Sequence, residues 1–96
     1  MPRAVWKGRV IAEAADTEVQ VVEGNTYFPP GRVDRAFLRD SSTHTVCAWK
    51  GTCSYCDVVV DGQVNKDAAW FYPDTLPKAK SIEGYIAFWK GVSVTP

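Results

Sequence analysis

The sequence predicts one mainly β domain, and three observations carry that expectation. Runs rich in Val, Tyr, Trp and Phe recur along the whole length, split by breaks containing Gly, Pro or Asp. Two of those breaks, Gly24-Asn25 and Asp61-Gly62, are two-residue hairpin signals. Only one stretch, Arg32 to Leu38, shows helical spacing of its apolar residues.

The elements follow in order. Val19 to Glu23 and Thr26 to Phe28 are read as the arms of a hairpin turning at Gly24-Asn25, and Pro29-Pro30-Gly31 ends it. Val33, Ala36 and Phe37 fall at i, i+3 and i+4, which predicts one short helix over Arg32 to Leu38. Thr45 to Trp49 is the next strand. Tyr55 to Val60 and Gln63-Val64 flank Asp61-Gly62, the strongest hairpin signal in the chain. Asn65-Lys66-Asp67 reads as a polar loop, and Ala68 to Tyr72 as a strand. Asp74 to Lys80, with Pro73 and Pro77 nearby, reads as a loop. Strands at Tyr85 to Trp89 and Val92 to Val94 complete the list.

Trp-Lys-Gly occurs three times, at Trp6, Trp49 and Trp89. It is read as a strand-closing device in which Gly supplies the turn, because the flanking residues do not otherwise match. The first and last copies come side by side if the terminal strands pair. At 96 residues the chain has room for one core, and no linker or low-complexity segment divides residues 1–96.

Composition narrows the partners. Eleven basic and eleven acidic residues cancel, so the chain lacks the field that draws proteins to nucleic acid or anionic membrane. No apolar run nears the roughly 20 residues that span a bilayer. Neither nucleic acid nor membrane is expected as a partner. The N-terminus has no apolar signal region, and three Cys is an odd count for a disulfide framework. The expectation is a cytoplasmic protein with reduced thiols. Nothing in the sequence sets an oligomeric state.

Strand parity sorts side chains onto faces. Thr45, Cys47 and Trp49 share one, Tyr55 and Asp57 another, and Ala68, Trp70 and Tyr72 a third. The opposite faces, with Cys56, Val58, Val60, Ala69 and Phe71, read as plain core. The first set joins aromatic planes to a thiol, a carboxylate and, just beyond, the Lys50 ammonium, which is the make-up of a small-ligand pocket. The bland alternative is an ordinary core edge of Trp and Tyr with polar tips.

Other chemistry is less well supported. His44-x-x-Cys47 and Cys53-x-x-Cys56 are zinc-type ligands, but only five residues separate the pairs and strand residues three apart face opposite ways. Buried thiols with no metal and no cofactor are expected instead. Cys53-x-x-Cys56 lacks the helix N-terminus that activates redox motifs. Cys47 has Lys50 nearby to stabilise a thiolate, while His44, the only imidazole, falls on the other side of its strand.

Glu23 to Pro29, Cys47 to Gly51, Tyr55, Ala68 to Pro73 and Ile82 to Phe88 together resemble, in order over nearly the whole chain, the domain of unknown function 427 family. The resemblance implies a compact Mss4-like, or β-tent, fold in which two small sheets meet at an angle. A small barrel-like closure with one short helix is the alternative. Relatives of that architecture often carry a structural zinc at one end and a ligand site between the sheets. Members are sometimes labelled nucleotidyltransferases, and here the sequence departs from the label. Asp57 and Asp61 are the only close carboxylate pair following a strand-like run, Asp61 sits in a hairpin turn, and no Gly-rich phosphate loop is present. The resemblance implies a fold and a site but no reaction. Positions matching its pattern are Glu23, Tyr27, Pro29, Cys47, Trp49, Lys50, Gly51, Tyr55, Trp70 and Tyr72.

The leading functional expectation is therefore a domain that binds an unidentified small molecule. Trp49, Tyr55, Trp70 and Tyr72 would form the aromatic walls, with Tyr27 beside them, and Cys47, Lys50 and Glu23 would supply polar contacts. An enzyme using Cys47 or Lys50 in the same pocket is one alternative. A protein-interaction module or a zinc-stabilised domain is the other.

Overall fold

Three two-residue turns set the register of much of this chain, for which a computed structural model describes residues 1–96. They join β1 (Arg3–Trp6) to β2 (Arg9–Glu13), β3 (Gln20–Val22) to β4 (Asn25–Tyr27), and β6 (Gly51–Val60) to β7 (Gln63–Phe71). Their turn residues are Lys7-Gly8, Glu23-Gly24 and Asp61-Gly62, all at left-handed φ between 50° and 78°. That backbone matches the twist of the flanking strands, so each hairpin closes without splaying. The first Trp-Lys-Gly copy thus acts as the strand-closing device expected of it. The third has Lys90 and Gly91 at φ 54° and 91°. It lies between β8 (Ile86–Phe88) and β9 (Ser93–Thr95), and β9 pairs with β1 across the two ends of the chain.

The middle copy differs. Cys47, which ends β5 (Leu38–Cys47), pairs with Gly51 and leaves Ala48-Trp49-Lys50 as a three-residue loop. Gly51 sits at φ 115°, where an added Cβ would lie 3.0 Å from the Asp74 carbonyl oxygen. The 74–76 segment comes this close because the Leu76 N–H donates to the Lys50 carbonyl at 3.0 Å.

The strands form an open four-stranded sheet, β5-β6-β7-β8, a three-stranded sheet, β2-β1-β9, and the two-stranded β3-β4 hairpin. The fold is mainly β, with three sheets and no closed barrel. Phe28, just past β4, exchanges both backbone hydrogen bonds with Ile86 at 2.8 Å, which ties the hairpin to β8. Alternation then divides the interior in two. Phe28, Cys56, Val58, Val60, Ala69, Ile86 and Phe88 pack with Ala4 and Ile11 in one cluster. Tyr27, Cys53, Trp70, Tyr72 and Ala87 pack with Ala79 and Ile82 in the other.

Each neighbour of β6 advances four residues where β6 advances two, β5 between Asp40 and His44 and β7 between Asn65 and Ala69. These bulges meet. Ser41 and Thr43 donate to the Asp67 carboxylate at 2.5 and 2.7 Å, and the buried Asp57 carboxylate accepts from the Asp67 backbone N–H at 2.9 Å and from Arg39 at 3.0 Å. Strand parity places Asp57 beside Tyr55, and the alternation along β6 is intact. The bulged β5 and β7 nevertheless bring Arg39 and the Asp67 N–H to its carboxylate, so Asp57 belongs to this network and not to the pocket. The polar loop expected at Asn65-Lys66-Asp67 is the bulged part of β7.

The Ser41 hydroxyl, with Thr43 and Lys66, holds the Asp67 carboxyl down to about 2 against the opposing effect of burial. Because the folded value is depressed, the stability it confers is present above the ordinary value of 3.8 and is lost as pH falls from there through about 2. Urea unfolding of Asp67→Asn should therefore show a flatter pH dependence across that window than the parent protein. Equal slopes would contradict the assignment.

Two further expectations are corrected. The first hairpin turns at Glu23-Gly24, one residue earlier than the predicted Gly24-Asn25, so Asn25 belongs to β4. The helix predicted over Arg32 to Leu38 is replaced by two single 3-10 turns, Pro30–Arg32 and Arg35–Phe37. Asp34 caps the second by accepting from the Ala36 N–H at 3.1 Å, a local bond that competes with a continuous helix. A third 3-10 segment, Pro77–Ile82, occupies part of the loop expected at Asp74 to Lys80 and supplies Ala79 and Ile82 to the second cluster.

Candidate functional site: an aromatic cavity around Lys50

A cavity of about 230 Å³ opens where β4, β6 and β7 present the second cluster. Asn25 and Tyr27, two apart on β4, line it from one side. Tyr55 and Trp70 are cross-strand partners on β6 and β7, and Tyr72 follows just past the end of β7. Lys50 enters from the three-residue loop, and Trp89 from the turn after β8.

The aromatic walls are fixed by directed contacts. The Trp70 indole Nε1–H donates to the Tyr27 hydroxyl at 3.2 Å, with the rings edge-on at 6.2 Å between centroids. Trp89 meets Trp70 at 5.5 Å and 73°. Its own Nε1–H donates to the Asp67 carbonyl at 2.6 Å, so the β7 bulge holds one wall of the cavity in place. The Tyr55 hydroxyl pairs with Thr45 Oγ1 at 3.0 Å. Burial pushes the Tyr27, Tyr55 and Tyr72 phenols above their ordinary values, so all three keep their protons at neutral pH.

Lys50 is the one charged group in the lining. Its side chain is only 6% exposed and is ion-paired with Glu23, whose side chain is 55% exposed on the β3–β4 turn. The Lys50 ammonium lies 5.0 Å from the Trp49 ring centroid and 5.7 Å from that of Tyr72. Burial alone would lower its pKa, but the Glu23 hydrogen bond and charge outweigh burial and raise it. The same bond to Lys50 lowers Glu23. Lys50 is therefore held as a cation at neutral pH.

Residues 2–95 match a family profile described as Domain of unknown function (DUF427). The chain belongs to that family. A comparison with curated proteins gives no match.

Of the eight residues expected at the site of this DUF427 chain, Tyr27, Lys50, Tyr55, Trp70 and Tyr72 line one cavity. Glu23 reaches it through Lys50. Trp49 backs Lys50 from outside and faces a separate groove of about 410 Å³ with Leu76 and Pro77. Cys47 is half-buried and packs against the second cluster without lining the cavity. Sequence reasoning missed Asn25 and Trp89. Asn25 falls in the expected Gly24-Asn25 turn, although two-residue parity with Tyr27 places it on this side. Trp89 is expected only as a strand-closing Trp, although it shares parity with Ala87 of the second cluster.

Size does not single out this cavity. The groove beside Trp49 is larger, as is one of about 350 Å³ between β2 and residues 31–34. What distinguishes it is the meeting of five aromatic rings with a buried cation and an amide.

The thiol chemistry is dispersed. Cys53 and Cys56 fall in opposite clusters, and the exposed His44 ring sits 3.3 Å from Ser54 Oγ. No group of three or more His, Cys, Asp or Glu side chains comes together as a metal-type cluster. Burial raises the Cys53 thiol and pushes Cys56 up to about 11. Iodoacetamide should label both far more slowly in the folded protein than in urea, as peptide mapping would show; equal rates would contradict their burial.

Proposed function

We propose that this DUF427 domain binds one small organic molecule in the cavity formed by Tyr27, Tyr55, Trp70, Tyr72 and Trp89. The observation that carries the reading is the buried Lys50 ammonium opening onto an otherwise uncharged, aromatic hollow. A volume of about 230 Å³ lies below the roughly 300–1,000 Å³ of pockets for drug-sized ligands, which suits a molecule of one or two rings. On this reading the sheets form the β-tent arrangement of Mss4-like folds, with the ligand seated between the four-stranded sheet and the β3–β4 hairpin. Asn25 and Lys50 orient the ligand, and the rings supply the contact area.

The enzyme reading has less support. Lys50 keeps its proton, and the His44 imidazole is engaged with Ser54.

Native mass spectrometry of gently purified protein tests the proposal. The expected result is a mass exceeding the denatured mass by one small organic molecule, reduced in Trp89→Ala. A native mass with no surplus, together with no fragment bound at millimolar concentration, would reject it.

A further inference from the structure

The Lys50–Glu23 pair is asymmetric in a way that specifies the ligand's charge. Lys50 lies almost wholly inside, its ammonium 5.0 Å from the Trp49 ring centroid and 5.7 Å from that of Tyr72. A buried ammonium requires an anionic or strongly accepting partner. Glu23 stands on a two-residue turn with more than half of its side chain in solvent, so it can exchange its contact for water at little cost. The stationary half of the pair lines the cavity, and the replaceable half does not.

We infer that the natural ligand is a planar aromatic acid whose anionic group takes Glu23's place on Lys50 while its ring lies among Tyr55, Trp70 and Trp89. This rests on the cavity reading above and goes beyond it by naming the ligand class. A cationic ligand is the obvious rival, because aromatic cages bind ammonium groups. Here the cage already holds its own cation: the Lys50 ammonium sits 5.7 Å from the Tyr72 ring, and a second positive charge would be repelled. Asn25, the one side-chain amide in the lining, offers an N–H to the ligand's second acceptor atom.

The test uses two probes of equal shape, indole-3-carboxylate and indole-3-carboxamide, titrated into the full chain. Binding is read from the indole N–H resonances of Trp70 and Trp89. The acid should bind about tenfold tighter than the amide, the scale of one charge-assisted hydrogen bond. Glu23→Gln should tighten the acid and leave the amide unchanged, because the competing carboxylate is gone while a neutral acceptor remains. Lys50→Met, which keeps the apolar stem, should erase the difference. If that variant melts early, Lys50→Gln, which keeps a polar head without the charge, provides the second measurement and should likewise erase the difference. An amide that binds as tightly as the acid, or a Glu23→Gln variant that loses the acid, would overturn the inference and leave the cavity standing. Two probes that move neither Trp70 nor Trp89 would overturn both.

Discussion

Trp70→Ala should cost the domain about 3–5 kcal/mol, the range for truncating a buried large aromatic. Trp70 is 8% exposed, meets Tyr27 and Trp89 edge-on, and satisfies the Tyr27 hydroxyl. Its removal opens a void beside Tyr27 and frees Trp89 from the ring it packs on. Whole-domain stability for chains of this size is about 5–15 kcal/mol, so the variant should stay folded only with a narrow margin. Trp70→Phe separates packing from binding. It keeps a ring but loses the donor to Tyr27, a cost of about 0.5–1.5 kcal/mol. Urea unfolding measures both, and a loss below about 1 kcal/mol for the Ala variant would show that Trp70 is not part of a packed cluster.

Gly51→Ala should be the other severe change. A residue held at φ 115° costs an L side chain about 1–3 kcal/mol in backbone strain. The methyl group would also lie 3.0 Å from the Asp74 carbonyl, and relieving that clash adds about 1–3 kcal/mol. The relief has a direction. Moving the 74–76 segment strains the Leu76 N–H bond to the Lys50 carbonyl, and Lys50 is the cavity's charged group. The variant should thus melt earlier and bind ligand more weakly. Gly62→Ala is the control, since its added Cβ meets nothing within 4 Å and only the strain of φ 76° remains. Equal destabilisation of the two variants would mean that the close approach at Gly51 carries no weight.

The sequence made the mainly β class legible through local chemistry. Asp61-Gly62 sits between two β-forming runs, and any two-residue turn there must pair Val60 with Gln63. Tyr55, Trp70 and Tyr72 were legible for a similar reason, since alternation holds along Cys53 to Tyr55 and Trp70 to Tyr72, while Lys50 lies in the loop just beyond β5. What failed was the expectation that one face of β6 meets the same neighbours along its whole length, because the bulges lie in β5 and β7. Asp57 lies at the step where β7 gains two residues, and the polar run Asn65-Lys66-Asp67 that marks the bulge looks like a loop. A one-residue ambiguity cost Asn25, because Glu23-Gly24 and Gly24-Asn25 are both able to take positive φ. The helix over 32–38 rested on three apolar positions, too few to outweigh the Asp34 cap and the Pro30-Gly31 break. Trp89 depended on a long-range bond to Asp67 that no local pattern announces.

The most direct measurement is a fragment screen followed by the four tryptophan indole N–H resonances, with Trp6 as an internal control on the far sheet. Small aromatic ligands are expected to shift Trp70 and Trp89 saturably, leave Trp6 unmoved, and lose their effect when Lys50 is replaced by Met. Shifts confined to Trp6 and Trp49, or no shift at any tryptophan across the library, would contradict a ligand site in the Lys50 cavity.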